Sequence, residues 1–480
     1  MSVIKNSFFV LLARITELVS GVVVVGLTTR YLGAAGFGEY AFVGTTAVAL
    51  SPLVALGCGR ILVRDVAVAA GRAGPLVASA LWLNAALAAV TLGAALVVMR
   101  LVPGRSPMAA AAMTVAVVGQ GLWVMQQTVT AVFIAREQMI FDPLIVIGTR
   151  LLLLALSLAV VIWRLSYPWF FVASAAAGGA GLLLALFILI RRFARPQFGL
   201  RWTELRYLAR ESAPVAAYNF LGQSFAYAGV LLLTWLAGLA EVAFFQAPLR
   251  VLGPLMILPM SLLFAFTPAL ARLGADAAAA PQLRQFYERA VRLVLGAVLP
   301  LGVAVHVLAP YLVRLLFGAD FADSANPFRL LSWALGPFAL NALLNTILTS
   351  LHRQTRLIFT HLAALAVNLA LGPWLILRAG HTGASIAFLT SIVVLFLINH
   401  RCLTAVIGGP VLWRAAWRPV LAAAGLAGGV WLGTDRLPPL LLAALAVPAY
   451  AGLCAALRVL TVTEVRAWLG RQPRAVEESA

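Results

Sequence analysis

Charge is scarce in this chain. Of its 480 residues only 11% are Asp, Glu, Lys or Arg, while 63% are apolar. A soluble domain carries about 25% charged and about 45–50% apolar residues, so an ordinary water-soluble fold is excluded. Lysine is almost missing, Lys5 being the sole example. No Gly-x-x-x-x-Gly-Lys-Ser/Thr loop can therefore exist, and the chain carries no P-loop ATPase of its own. Any transport it performs must draw on a gradient or a partner. Cysteine is sparse too: Cys58, Cys402 and Cys454 lie far apart in or beside apolar segments. That spacing suits neither a disulfide framework nor a metal site. The five histidines form no His-Glu-x-x-His motif, and nothing in the chain requires a cofactor.

What remains is apolar length. A spanning helix needs ~20 mostly apolar residues, so the apolar content suffices for roughly fourteen or fifteen. The reading is an all-α polytopic membrane protein of about 14 transmembrane helices, with spans at 8–31, 39–59, 76–99, 109–134, 144–163, 169–190, 213–236, 243–267, 293–317, 328–350, 357–377, 383–402, 418–434 and 439–457. The first run is too long for a signal-peptide core and carries Arg14 and Glu17, which predicts a retained helix. The net charge of +19 could suggest a nucleic-acid binder, but the basic residues sit between apolar runs and not on a compact basic domain. Of the 35 Lys and Arg, 24 fall in loops on the amino-terminal side, eight in the opposite loops and three inside spans. Cytoplasmic loops collect such residues, which predicts a plasma-membrane protein with both termini cytoplasmic.

The longest polar stretch, Arg191 to Ser212, divides the first twelve spans into six and six. The predicted units are a six-helix lobe over 1–195, an amphipathic cytoplasmic linker over 196–211, a second lobe over 212–402, and two further helices with a tail over 403–480. The linker opposes Leu200, Leu205 and Leu208 to several arginines, the pattern of a helix lying on a membrane surface. Leu32-Gly-Ala-Ala-Gly-Phe-Gly after span one and Ala237-Gly-Leu-Ala-Glu after span seven each place a small turn between a first and a second helix, as duplicated units would.

Charges inside spans are costly and usually face a cavity or a partner. Span one carries Arg14 and Glu17 at i,i+3; they read either as a structural ion pair or as a cavity-facing functional pair. Span eight places Gln246 and Arg250 one turn apart among Pro248, Pro254 and Pro259. An unpaired arginine there could bind an anion, because guanidinium matches phosphate oxygens with parallel hydrogen bonds; the other reading is snorkelling to an interface. Arg150, near the start of span five, is open to the same two readings. Neutral polar stripes recur: Asn219, Gln223, Tyr227 and Thr234 in span seven, Gln120, Gln127 and Thr130 with Gln126 in span four, Asn341, Asn345 and Thr349 in span ten, His361 and Asn368 in span eleven. They suit either interhelical hydrogen bonds or a shared hydrophilic cavity. The close acidic pair Asp320 and Asp323 reads as turn chemistry at a helix start.

Several segments resemble the bacterial oligosaccharide flippases, or polysaccharide transporters, of the multidrug/oligosaccharidyl-lipid/polysaccharide exporter superfamily. In chain order these are Arg30-Tyr-Leu-Gly-Ala-Ala-Gly-Phe-Gly-Glu-Tyr, Leu56-Gly-Cys-Gly-Arg-Ile-Leu-Val-Arg-Asp, Phe266-Thr-Pro-Ala-Leu-Ala-Arg-Leu, Leu316-Phe-Gly-Ala-Asp-Phe, and Asn368 with Gly380-His-Thr-Gly-Ala-Ser-Ile-Ala. The resemblance implies two six-helix lobes in a V around a central cavity, plus two extra helices. It implies alternating access that carries oligosaccharides on undecaprenyl diphosphate from the cytoplasmic to the periplasmic leaflet, for cell-surface polysaccharides such as O-antigen or exopolysaccharide. By the same resemblance Arg14 and Arg250 would meet the diphosphate, with Gln246 beside them and Asn219 and Gln223 near the sugar. Glu17 would take up a proton to reset the carrier. The expected protein is a monomer and not an enzyme; its partners are the lipid-linked substrate, membrane lipids and a polysaccharide polymerase complex, with no nucleic acid. The rival readings are a cation-coupled drug or metabolite antiporter of the same superfamily, whose cavity would want carboxylates, and a membrane-embedded polymerase or glycosyltransferase.

Overall fold

The computed structural model describes residues 3–459 except 102–105, 139, 198, 200, 257–269, 271–279, 352, 410 and 434–437. Outside the described residues fall the end of span eight with Pro259, most of the 266–273 motif, Leu200, Thr434, and Arg105, Arg272, Arg436, Arg466, Arg471 and Arg474 of the charge count. Among the described residues the chain is all helical: α1 (Val3–Ala55), α2 (Cys58–Val68), α3 (Ala73–Arg100), α4 (Ala109–Ala135), α5 (Phe141–Ile162), α6 (Pro168–Arg192), α7 (Trp202–Leu236), α8 (Leu239–Leu255), α9 (Ala280–Leu316), α10 (Ala325–Ser332), α11 (Leu335–Ser350), α12 (Gln354–Ile407), α13 (Val411–Gly433) and α14 (Pro439–Ala456). Among the described residues seven helices are long and apolar enough to cross a membrane, or eight if the pair Ala319–Ser332 and Leu335–Ser350, bent by 42°, counts as one. Large apolar side chains face outward, Leu183 at 70% exposure and Phe187 at 57% among them. That distribution suits hydrocarbon as the surrounding solvent.

Two helices are too long for one crossing. At about 1.5 Å per residue, α1 with its 53 residues would run far beyond the ~30 Å hydrocarbon core. It therefore breaks at Gly33 (φ 64°), a left-handed conformation that glycine adopts without a Cβ penalty. The expected turn between spans one and two is thus one residue wide, and helix resumes through Gly36 and Gly38. In α12 the break falls at Ala379 and Gly380 (φ 51°), between spans eleven and twelve. The acidic pair lies in a 3-10 turn, Ala319–Ser324, whose leading Gly318 makes no side-chain cap.

The chain forms two compact units. The first comprises Met1–Ile257, Val313–Pro327 and Ile358–Ser391; the second comprises Leu258–Leu312, Phe328–Leu357 and Ile392–Ala480. In the first, small residues let backbones approach, as is usual between helices in lipid. A Cβ on Gly38 of α1 would collide with the Leu239 carbonyl of α8, and one on Gly119 of α4 would come within 3.1 Å of Ala175 of α6. A core of Cys58, Leu62, Leu76, Phe133, Leu189 and Leu208 ties α2, α3, α4 and α6 to the start of α7. Polar ties follow the same seam: Tyr207 donates to Asp65 (2.7 Å), Arg64 pairs with Asp65 (2.9 Å) and Glu211 (3.1 Å), and Arg72 pairs with Glu204 (3.1 Å). The bond to the Asp65 carboxylate, together with burial, raises the Tyr207 phenol above its ordinary pKa. Beside the break in α1, Tyr31 donates to the Leu165 carbonyl (2.9 Å); Glu241 of α8 accepts from both the backbone N–H and Nδ1 of His381 (each 2.7 Å). In the second unit α13 and α14 pack on α9 through Val303, Ala422, Leu426 and Leu442, and Tyr450 donates to the Gly296 carbonyl (2.9 Å).

The backbone contact at Gly38 gives a direct test. Gly38→Ala should cost about 1–3 kcal/mol through overpacking, read as a lower Tm in detergent. Gly21→Ala, whose Cβ would meet open space, should leave the Tm unchanged or slightly raised.

Candidate functional site

Two cavities open within the first unit. One, of about 250 Å3, is lined by Tyr40, Gly44, Thr45 and Val48 of α1, Gln120 of α4, Ser157 of α5, Phe170, Phe171 and Ser174 of α6, Tyr227 of α7, and Gln246 and Arg250 of α8, among others. The second, of about 450 Å3, is lined by Val48, Ser51, Pro52 and Ala55 of α1, Gln120, Val124 and Gln127 of α4, and Tyr218, Asn219, Gly222 and Gln223 of α7. Val48 and Gln120 border both, so the cavities are neighbouring chambers.

Helical spacing explains which side chains arrive there. Residues 40, 44, 48 and 52 of α1, 219, 223 and 227 of α7, and 246 and 250 of α8 each follow at four-residue intervals, hence on one face. This polar face also explains why α7 is absent from the seven strongly apolar helices.

Among the described residues Arg250 is the only charged one lining either chamber, and neither lining includes a carboxylate. Its guanidinium carbon lies 5.0 Å from the Tyr40 ring centroid and 5.6 Å from that of Phe37. Tyr40 in turn stacks on Phe171 at 5.0 Å. Cation–π contacts are worth roughly 0.5–2 kcal/mol, enough to aim the group without consuming its N–H donors. Among the described residues Arg250 has no ion-pair or hydrogen-bond partner. Gly44 makes room for it: a Cβ there would sit 3.1 Å from Nη2. Gln246, one turn earlier, is buried, donates to the Thr45 hydroxyl (2.7 Å) and leaves its Oε1 without a partner. Pro248 and Pro254 lie within the same helix.

The other residues singled out in the sequence are distributed as follows. Asn219 and Gln223 line the larger chamber, apart from Arg250 and Gln246 in the smaller one. Arg14 and Glu17 line neither. Glu17 is bound twice, by Arg14 (3.0 Å) within α1 and by Arg150 of α5 (2.6 Å), whose guanidinium also lies 5.0 Å from the Trp123 ring. Arg14 keeps 53% of its side chain exposed. Gln126 and Thr130 are buried away from both chambers. Asn341 bonds the Ile392 carbonyl (3.2 Å) and Asn399 (2.9 Å), joining α11 to α12, and Asn368 bonds Ser391 (3.4 Å) across the break in α12. The sequence reading missed Tyr40, Ser51, Ser157, Ser174 and Tyr218. Tyr40 had a usable signal, its place one turn before Gly44 in the predicted span 39–59, but no polar stripe marked that span.

An all-helical bundle with a polar, singly cationic cavity set among apolar helices is the build of a multi-pass membrane transporter. Residues 3–273 match the family described as Polysaccharide biosynthesis protein, and the chain belongs to that family. No curated protein sequence matches the chain. Its fold is similar to that of the lipid II flippase MurJ in an inward closed conformation, at a TM-score of 0.75 and 12% identity over 98% of this chain and 100% of that one. It is also similar to an inward-facing multidrug resistance MATE family transporter of the MOP superfamily (TM-score 0.64, 16% identity, 82% of this chain and 95% of that). A mutant of the Vibrio cholerae MATE transporter VcmN gives 0.60 and 15% over 85% of this chain and 98% of that. At these identities the likeness is one of fold.

The Gln246–Thr45 bond holds α8 against α1 beside the arginine. Gln246→Leu should lower stability by about 1 kcal/mol, the net worth of one buried hydrogen bond, read by thermal unfolding. Gln246→Glu, which introduces a charge beside Arg250, should alter ligand binding more than stability.

Proposed function

We propose that this protein is a flippase that carries an oligosaccharide linked to undecaprenyl diphosphate from the cytoplasmic to the periplasmic leaflet of the bacterial inner membrane by alternating access. One observation carries the reading: Arg250 stands in an aromatic-walled cavity with its donors unpaired among the described residues. A diphosphate-sugar head cannot cross hydrocarbon unaided, and burying a charge there without a partner is expensive. An unpaired guanidinium supplies that partner, and a single one binds weakly enough to release on the far side. The amides of the larger chamber, Asn219 and Gln223 with Gln120 and Gln127, suit sugar hydroxyls, and the prenyl tail stays in lipid. Arg14 meets the headgroup from α1, and Glu17, between Arg14 and Arg150, takes up a proton to reset the carrier. Two six-helix lobes joined by the 196–211 linker perform the alternation, with the termini in the cytoplasm and a polymerase receiving the product.

The family match and the likeness to MurJ support a flippase, whereas the MATE likeness supports a cation-coupled drug antiporter equally well. Cavity charge favours the first, since a cation carrier wants a carboxylate in its cavity and the described linings hold Arg250 and no acid.

In vesicles bearing fluorescent lipid-linked oligosaccharide, Arg250→Ala should slow translocation roughly 10- to 100-fold, the worth of a charge-assisted hydrogen bond, and Arg250→Lys should restore part of it. Unimpaired transport by Arg250→Ala would end the anion reading. Glu17→Gln should lose the response to a proton gradient. Normal transport by that variant with and without the gradient would remove Glu17 from the coupling.

A further inference from the structure

The stretch that joins α6 to α7 carries six arginines, Arg191, Arg192, Arg195, Arg201, Arg206 and Arg210, and two acidic residues, Glu204 and Glu211. The structure removes both carboxylates from the local balance: Glu204 pairs with Arg72, and Glu211 pairs with Arg64 of α2. Leu208 is fully buried in the core beneath, so the start of α7 is fixed by its inner face. On the outer face Trp202, Arg206 and Arg210 follow at four-residue intervals and are all exposed, Trp202 by 73%. Two further arginines are aimed from the end of α6: Arg191 lies 5.5 Å from the Phe187 ring and Arg192 lies 5.6 Å from the Phe141 ring. None of the six has a carboxylate partner among the described residues.

We infer that this face is a binding surface for anionic phospholipid headgroups, with Trp202, Arg206 and Arg210 as its centre and Arg191 and Arg192 at its edge. An indole prefers the headgroup level of a bilayer. Guanidinium groups beside it grip phosphodiester oxygens with charge-assisted hydrogen bonds. The stretch follows directly on an apolar spanning helix, Pro168–Arg192, which puts its arginines at headgroup depth and not in open water. Lipid is therefore the occupant, ahead of a soluble acidic partner. The paired carboxylates matter because, left free, Glu204 and Glu211 would repel the same headgroups. Arg64 and Arg72 thus do two jobs, strapping the helix down and silencing its negative charge.

The test uses the full chain purified in neutral detergent and titrated with phosphatidylglycerol or phosphatidylcholine, reading bound lipid by native mass spectrometry and stability by Tm. Selective retention of phosphatidylglycerol, a Tm rise with that lipid alone, and loss of both in high salt are expected. Arg206→Gln with Arg210→Gln should weaken that retention roughly fivefold per arginine removed, leaving the Tm in phosphatidylcholine unchanged. Should the pair fail to fold, Arg191→Gln with Arg192→Gln on the neighbouring helix gives the same reading. Equal retention of the two lipids, or undiminished phosphatidylglycerol binding in both double variants, would overturn the proposal. Inorganic phosphate that reproduced the Tm rise would also overturn it, by making the site one for free anions.

Discussion

An unshared guanidinium inside an apolar bundle is the constraint that the rest of the cavity answers to. Such a group is expensive in hydrocarbon, and none of the described residues offers it a carboxylate. The chain supplies ring faces from Phe37 and Tyr40 instead, a glycine at position 44 that leaves the space clear, and an amide one turn away tied to Thr45. The aromatic wall is itself braced, Tyr40 by Phe170 and Phe171 and Phe37 by Phe321. Each part lowers the cost of keeping Arg250 charged without giving it a permanent counter-ion. Among the described residues the cavity thus holds a guanidinium that ring faces support and no carboxylate pairs.

The second acidic-basic cluster follows the opposite rule. Glu17 is held by two arginines from different helices, and none of the three reaches the chambers. One cluster shares a single carboxylate between two arginines and ties α1 to α5, while in the other Arg250 has no ion-pair partner among the described residues.

The helical architecture was legible because hydrocarbon imposes a length and a composition, and the fourteen apolar runs fall on helices wherever the chain is described. The α7 stripe was legible for a related reason: polar residues four apart on an apolar helix must share a face, and Asn219, Gln223 and Tyr227 do line the chambers. Other parts were hidden. Spacing alone could not say whether a polar stripe would meet a cavity or another helix, and Asn341 and Asn368 went to hydrogen bonds within the core. Gly33 to Gly38 read as a loop because glycine serves both turns and close helix contacts; here Gly33 turns the chain and Gly38 seats one backbone against another.

The contact at Gly38 has an evolutionary consequence. Main chain touches main chain there, so no side chain can be gained without separating α1 from α8, and the seam is closed to mutational drift. The chamber walls, by contrast, are made of side-chain tips that can be exchanged one at a time while the frame stays put. A lineage built this way can change what it recognises without relearning how to fold.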